Sequence, residues 1–505
     1  MNPLYSVTEI RAIEQAAAAS LPAGALMQRA GQASANAALD LLPIATAHAK
    51  VLVLAGPGDN GGDALEAAAH LSHAGAQVTI IYYAPQAASS LERANALERA
   101  RMSDARFRSA ADAEIGSTEW NLVIDGLFGI GLKRPLAGDV RELVLAINAL
   151  RCQVLALDVP SGLDADTGAV VGAAGGADGV AVHASHTVTF IGDKPGLHTC
   201  DGRDYAGLVE VARLEIDASH FAPVQLHLND VKFFSRHLRA RRQNSHKGSY
   251  GDVAVIGGAR GMSGAPLLAA RAALNSGAGR VYALFAEDPL PCDSGQPELM
   301  CRAADGFDLN RATLVIGPGL GASDHATALL TRAIACDSAL LADADALNLL
   351  AADPGLQSAL AKRHAAVVLT PHPREAARLL GVGSGAVQAD RVGAARSLAA
   401  RFQACVVLKG SGTVIAAPNG DAVVNTTGNP ALATAGTGDV LAGLCGSLLA
   451  QGWPQWEAAL AAVWLHGMAA DVLVTDGAGP IGLTASELIP AIRVALNRMV
   501  QHHSH

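Results

Sequence analysis

Two groups of residues along this chain have the types and spacing to do chemistry. Gly56-Pro57-Gly58-Asp59-Asn60-Gly61-Gly62-Asp63 follows a short apolar run and leads into the helical pattern Ala64 to Ala74. Such a backbone brings several N–H groups to a helix N-terminus, which suits a phosphate or another anion. Two further apolar runs end in acids: Leu122-Val123-Ile124 in Asp125, and Val154 to Leu157 in Asp158, with Ser161 just beyond. Three adjacent strands would present Asn60, Asp125, Asp158 and Ser161 at one edge. Hard oxygens of limited charge suit a cation, while a carboxylate near a lysine, here Lys133, suits proton transfer. Far downstream, Ala435-Gly436-Thr437-Gly438-Asp439 opens an apolar helical run. Its glycines leave amide hydrogens free for a phosphate, and Asp439 can accept a hydroxyl proton as that oxygen meets phosphorus.

Other small-residue loops follow strands in the same half: Gly257 to Ala265, Gly317-Pro318-Gly319-Leu320-Gly321, Thr370-Pro371-His372-Pro373-Arg374-Glu375 and Lys409-Gly410-Ser411-Gly412-Thr413. They exceed what packing requires. No G-x-x-x-x-G-K-[ST] string exists, which excludes a P-loop. The first glycine loop formally contains G-x-G-x-x-G, but the next strand runs out into Tyr82-Tyr83-Ala84-Pro85-Gln86 with no acid to hold a ribose. Ordinary dinucleotide binding is therefore disfavoured.

The elements that must position these residues read as α/β throughout. Short β-branched runs alternate with alanine and leucine runs at helical spacing, which implies βαβ units on parallel sheets. The alternation breaks between Asp217 and Asn229 and restarts at Val253, and 505 residues exceed what one core supports. We expect two domains in series, 1–222 and 223–505, each a three-layer α/β sheet. The segment before Val51 reads as helical, with Thr8 as a possible N-cap, packed outside the first sheet. His466 reads as packed core.

Composition narrows the function. Lys+Arg 37 against Asp+Glu 46 gives a net charge of −9, which disfavours nucleic acid. Seven scattered cysteines with no C-x-x-C spacing fit a reducing, cytoplasmic setting. No uncharged apolar stretch reaches the length of a bilayer span, and Met1 to Tyr5 lack a signal-peptide pattern, so no membrane partner is expected. His502-His503-Ser504-His505 reads as a frayed end and not a metal site. A homo-oligomer is expected, with no interface legible.

The strings G-P-G-x-N-G-G-D, D-x-L-F-G-x-G-L and D-V-P-S-G-L-D-A-D-T-G, in that order over about residues 1–215, resemble the NAD(P)H-hydrate epimerase family. That resemblance implies a Rossmann-like domain with K⁺ at Asn60, Asp125 and Ser161. It also implies substrate at Asp59, Asn60, Gly61, Gly62, Asp63, Gly129, Ile130, Gly131, Leu132, Lys133, Arg134, Pro135 and Asp158, with Asp158 and Lys133 catalytic. From about residue 228 to 495, H-K-G-S-Y-G-D-V, G-M-S-G-A, D-A-D-A-L-N, T-P-H-P, K-G-S-G-T and A-G-T-G-D resemble the ribokinase-like, ADP-dependent NAD(P)H-hydrate dehydratases. The implied nucleotide site is Lys409, Gly410, Ser411, Gly412, Thr413 and Gly438. The implied hydrate contacts are Ala265, Gly319, His372 and Asp439, with Asp439 catalytic and Mg²⁺ entering with ADP. Together these imply a bifunctional repair enzyme: one domain epimerises NAD(P)H hydrate, and the other dehydrates the S form at the expense of ADP, releasing AMP and phosphate. The alternative is a vitamin-precursor kinase fused to a non-catalytic ligand-binding domain.

Overall fold

The structure, a computed structural model, describes residues 2–83, 90–173 and 179–503. Met1, Ala84-Pro85-Gln86 after the second strand, and Ser504 and His505 of the tail lie outside the described residues. The chain divides into two compact units, Asn2–Val224 and a second that begins at Gln225.

The first unit is built on seven parallel strands: β1 (Lys50–Ala55), β2 (Gln77–Tyr82), β3 (Arg106–Arg108), β4 (Leu122–Gly126), β5 (Gln153–Leu157), β6 (His186–Phe190) and β7 (Leu208–Ala212). Their order, β3-β2-β1-β4-β5-β6-β7, reverses between β1 and β4 and opens a crevice beyond the carboxyl ends of those two strands. Five longer helices accompany them: α1 (Val7–Ala18), α2 (Ala25–Leu41), α3 (Asp59–His73), α4 (Leu91–Met102) and α5 (Gly138–Asn148). β1 is buried on both faces, as its uniform hydrophobicity predicts: Val51, Val53 and Ala55 join one core with α2 and α3, Leu52 and Leu54 another with α5.

Two expectations need correction here. α1 is capped by Ser6, not Thr8: the Ser6 hydroxyl accepts from Glu9 N while Ser6 N donates to the Glu9 carboxylate. α3 starts at Asp59, not Ala64, because Gly58 is extended and ends the loop there. Asn60 to Asp63 therefore form the helix's first turn, buried, despite the poor helix propensity of two glycines.

The second unit carries β8 (Leu226–Leu228), β9 (Asp252–Gly257), β10 (Arg280–Phe285), β11 (Met300–Ala303), β12 (Thr313–Ile316), β13 (Leu340–Ala342), β14 (Val367–Leu369), β15 (Cys405–Leu408), β16 (Val414–Ala416) and β17 (Ala422–Val424). They form one sheet, β11-β10-β9-β12-β13-β14-β15-β16-β17-β8, parallel except for the β15-β16-β17 meander. Its order reverses between β9 and β12. The segment in which the alternation breaks thus contributes an edge strand, because Leu226–Leu228 finds β17 to pair with. Helices Gly264–Asn275, Thr437–Ala450, Gln455–Thr475 and Ala485–His503 bury Val253, Val255, Val315 and Leu341 on one face, while Ala254, Ile256, Leu314 and Leu340 are equally buried on the other. Helix Gln455–Thr475 is long and apolar enough by composition to cross a membrane, but its alanines and leucines fill this core.

Candidate active sites

The first site lies at the β1/β4 crevice. Register places Leu54 beside Asp125, and Asp125 beside Ala156, so the ends of β1, β4 and β5 deliver their polar residues together. Asn60 Nδ2 donates to Leu157 O at 3.1 Å, whereas its buried Oδ1 has no donor. Asp125, fully buried, accepts from Ser161 Oγ at 2.7 Å, Ser161 N at 2.8 Å and Leu127 N at 3.2 Å. Burial pushes its carboxyl up to about 6 against the lowering effect of those bonds.

Asp158 sits at φ 65°, a left-handed conformation costly for a residue with a Cβ. Its Oδ1 lies 2.7 Å from Lys194 Nζ and 3.3 Å from Phe190 N. Its Oδ2 faces the Gly129 backbone, where a Cβ would stand 3.1 Å away. A cavity of about 770 Å³ opens here, lined by Asp59, Asn60, Asp63, Gly129, Ile130, Gly131, Leu132, Lys133, Arg134 and Asp158. Arg11 and Glu14 of α1 and Met27 of α2 also line it, and no motif in the chain marks these three. Gly61, Gly62 and Pro135 do not line the cavity; the two glycines are buried in α3, and Pro135 is exposed. Burial, with Asp158 and Asp59 nearby, drives the Asp63 carboxyl well above the usual range.

Lys133 is placed differently from the sequence expectation. Its side chain is 67% exposed and its Nζ lies 4.0 Å from Asp164. The ammonium on Asp158 is that of Lys194. The signal for it was positional: Gly192-Asp193-Lys194-Pro195 follows β6, another strand end on the same side.

The second site is assembled beyond β9, β12, β13, β14 and β15. Helix Thr437–Ala450 starts from Gly436 at φ 89°, with no side-chain cap on its amide hydrogens. Ala433 to Ala435 are exposed, and Gly438 and Asp439 half-buried, so this helix start faces outward. Lys409 Nζ lies 2.7 Å from Asp343 Oδ1 and 3.3 Å from where a Cβ on Gly438 would stand. Burial, and then Asp343, push the Asp439 carboxyl up to about 7, with Lys409 opposing. Burial likewise takes Glu375 to about 7, again against Lys409.

Ala265 and Gly319 come together, a Cβ on Gly319 falling 3.3 Å from that of Ala265. Gly321 N donates to Asp345 at 2.9 Å and ties that loop to the one bearing Asp343. His372 caps helix Pro373–Leu380: its Nδ1 accepts from Arg374 N and Glu375 N, and burial lowers its basicity. Arg391 went unnoticed in the sequence because nothing local marks it. Its guanidinium, fully buried, donates to the carbonyls of Leu408, Lys409 and Gly412 and so shapes the loop Lys409 to Thr413. His466 is packed as expected, and burial holds it neutral by lowering its pKa to about 4.

Known proteins bear on both halves. A family model described as YjeF-related protein N-terminus matches residues 23–196, and one described as NAD(P)H-hydrate dehydratase matches 253–493. The bifunctional NAD(P)H-hydrate repair enzyme Nnr of Coxiella burnetii is 40% identical over 98% of this chain and 100% of its own length. This chain belongs to the bifunctional NAD(P)H-hydrate repair enzyme family. The ADP-dependent (S)-NAD(P)H-hydrate dehydratase of Neisseria meningitidis is 47% identical over 53% of this chain and 92% of its own length. A solved ADP/ATP-dependent NAD(P)H-hydrate dehydratase of Bacillus subtilis, co-crystallized with ATP and Mg²⁺, is 32% identical, covering 52% of this chain and 97% of that one, with a TM-score of 0.45. Membership across both halves of a repair enzyme disfavours the kinase alternative.

Proposed function

We propose that Asp158 moves the proton in the epimerisation, and Asp439 in the nucleotide-driven dehydration, that this repair enzyme performs on hydrated NAD(P)H. In the hydrate, water has added to the reduced ring, leaving a hydroxyl on the carbon beside the ring nitrogen. Epimerisation follows when the Asp158 carboxylate takes the hydroxyl proton as the carbon–nitrogen bond opens to an aldehyde, the proton passes to the ring nitrogen, and that nitrogen re-adds to the opposite face of the carbonyl, returning the proton through Asp158. Asp158 suits both roles because Oδ1 is held by Lys194 while Oδ2 faces the cavity. The α3 start offers the amide hydrogens of Asp59 and Asn60 to the dinucleotide's phosphates, and Gly129 to Arg134 forms the opposite wall.

The oxygens of Asn60, Asp125 and Ser161 fit K⁺: the Asn60 Oδ1 is buried without a hydrogen-bond donor among the described residues, and the Asp125 carboxylate and Ser161 hydroxyl are buried and bonded to each other at the ends of neighbouring strands. A bound K⁺ would supply positive charge to that wall of the cavity.

In the second unit, Asp439 takes the proton of the substrate hydroxyl as its oxygen attacks the terminal phosphorus. The resulting phosphate ester is a better leaving group; loss of phosphate and of a proton from the neighbouring carbon restores the double bond. Lys409 and the Gly436–Gly438 helix start receive the phosphates. Asp343 and Glu375 would hold Mg²⁺ arriving with the nucleotide, and the ion would neutralise charge on the transferred group. The 47% identical ADP-dependent relative supports ADP as the donor, with AMP released.

One observation carries this reading: an ionisable carboxylate, Asp439, at an uncapped, outward-facing helix start whose Gly438 is approached by the Lys409 ammonium. Purified protein mixed with hydrated NADH and either ADP or ATP tests it, by recovery of reduced-nicotinamide absorbance. A phosphorylated organic product without NADH would favour the kinase. Homo-oligomerisation and a cytoplasmic setting remain part of this reading, the first checked by light scattering.

A further inference from the structure

Lys194 is fully buried, which is costly for an ammonium unless every proton finds an acceptor. It finds them: Thr189 Oγ1 at 2.7 Å, Phe190 O at 2.9 Å and Gly192 O at 3.1 Å, besides Asp158 Oδ1 at 2.7 Å. Its loop is pinned as well. Tyr5 N donates to Asp193 O at 2.8 Å, and the Asp193 carboxylate holds His198 Nε2 at 2.8 Å. The ammonium therefore cannot swing into the cavity, and its fixed position dictates where Asp158 points.

We infer that Lys194 is the positioning residue of the epimerase site, acting only through Asp158. Two consequences of its placement support this. It engages one carboxylate oxygen and leaves the other, 3.1 Å from a Cβ on Gly129, as the oxygen that meets substrate. It is also the cation that balances Asp158 in a cavity whose other acids, Asp59, Asp63 and Glu14, would repel a second negative charge. The inference rests on the assignment of proton transfer to Asp158.

The test uses the full-length chain without nucleotide, so that dehydration is silent, and follows re-equilibration of a single hydrate epimer against the uncatalysed background. Lys194→Gln keeps much of the volume and hydrogen bonding but removes the charge. The expected result is a fall in kcat of about 100-fold or more, the size of a lost acid-base contribution, with KM and the affinity for unreactive NADH within threefold of wild type. Epimerisation within threefold of wild type overturns the inference.

Should Lys194→Gln lose NADH binding and its unfolding transition together, Thr189→Val decides. That variant keeps the lysine but removes one of its acceptors at 2.7 Å, together with the weaker 3.5 Å hydrogen bond that Thr189 Oγ1 gives Asp158 Oδ1, so its effect on kcat reads the whole support that Lys194 and Thr189 give that oxygen. A drop in kcat alone supports positioning, and unchanged kcat overturns it. Asp158→Asn, run in parallel, separates the two layers. If it turns over normally, the Asp158 assignment itself fails; if it is silent while both other variants are normal, only the role of Lys194 fails.

Discussion

Lys409 Nζ and Asp343 Oδ1 lie 2.7 Å apart, and both side chains come from loops that follow parallel strands of the second sheet. Asp343 is 1% exposed, while the Lys409 side chain keeps 20% of its surface open to the site. Asp343→Ala leaves the partly exposed Lys409 ammonium without its carboxylate and should cost the second unit about 1 to 3 kcal/mol, less than stranding a fully buried charge. Calorimetry would show the second unit's transition shifted down, with epimerisation intact. Lys409→Met should instead lower kcat for dehydration at least 100-fold.

The pH dependence follows from Asp439. Its carboxyl stands at about 7 in the folded protein against an ordinary 3.8, so folding favours the protonated form. The stability this group contributes is present below about pH 4 and lost as pH rises towards 7. Catalysis runs the other way, because only the ionised carboxylate accepts a proton. Dehydration at saturating nucleotide should climb through about pH 7, while the unfolding temperature of the second unit falls between about pH 4 and 7. Asp439→Asn should abolish turnover and reduce the stability change, leaving the share of Glu375; a variant with an unaltered stability profile would contradict this account.

Gly129→Ala places a methyl 3.1 Å from Asp158 Oδ2. We expect a loss of ten- to a hundredfold in epimerase kcat/KM, with dehydration of the pure S epimer unchanged. The two rates are measurable in one preparation.

Replacing K⁺ by a large organic cation should slow epimerisation about tenfold or more and leave the second activity alone. Asn60→Ala removes the buried oxygen that lacks a donor and should erase the response to K⁺. A wild-type enzyme indifferent to K⁺ would argue against Asn60, Asp125 and Ser161 as its holders.

The central strands and the glycine loops were legible because their signals are local: uniform hydrophobicity for strands buried on both faces, and glycines where a helix begins. β3 and β16 are too short to show a period, and β8 hid in a segment broken by Pro223. Asp158 and Asp439 could be found because each ends a readable string. Lys194 and Arg391 could not, since their roles depend on partners brought close only by the fold. Lys133 was misplaced for the same reason: proximity along the chain to Asp125 said nothing about which ammonium the β5 and β6 ends would share.

The edge strand Leu226–Leu228 has a consequence for biosynthesis. It pairs with β17, and Asn229 Nδ2 donates to Asn425 Oδ1 across 196 residues of chain. On a translating ribosome the N-terminal half can acquire its structure as soon as it emerges. The C-terminal sheet must wait, with its first strand unpaired, until most of the remaining polypeptide has been made.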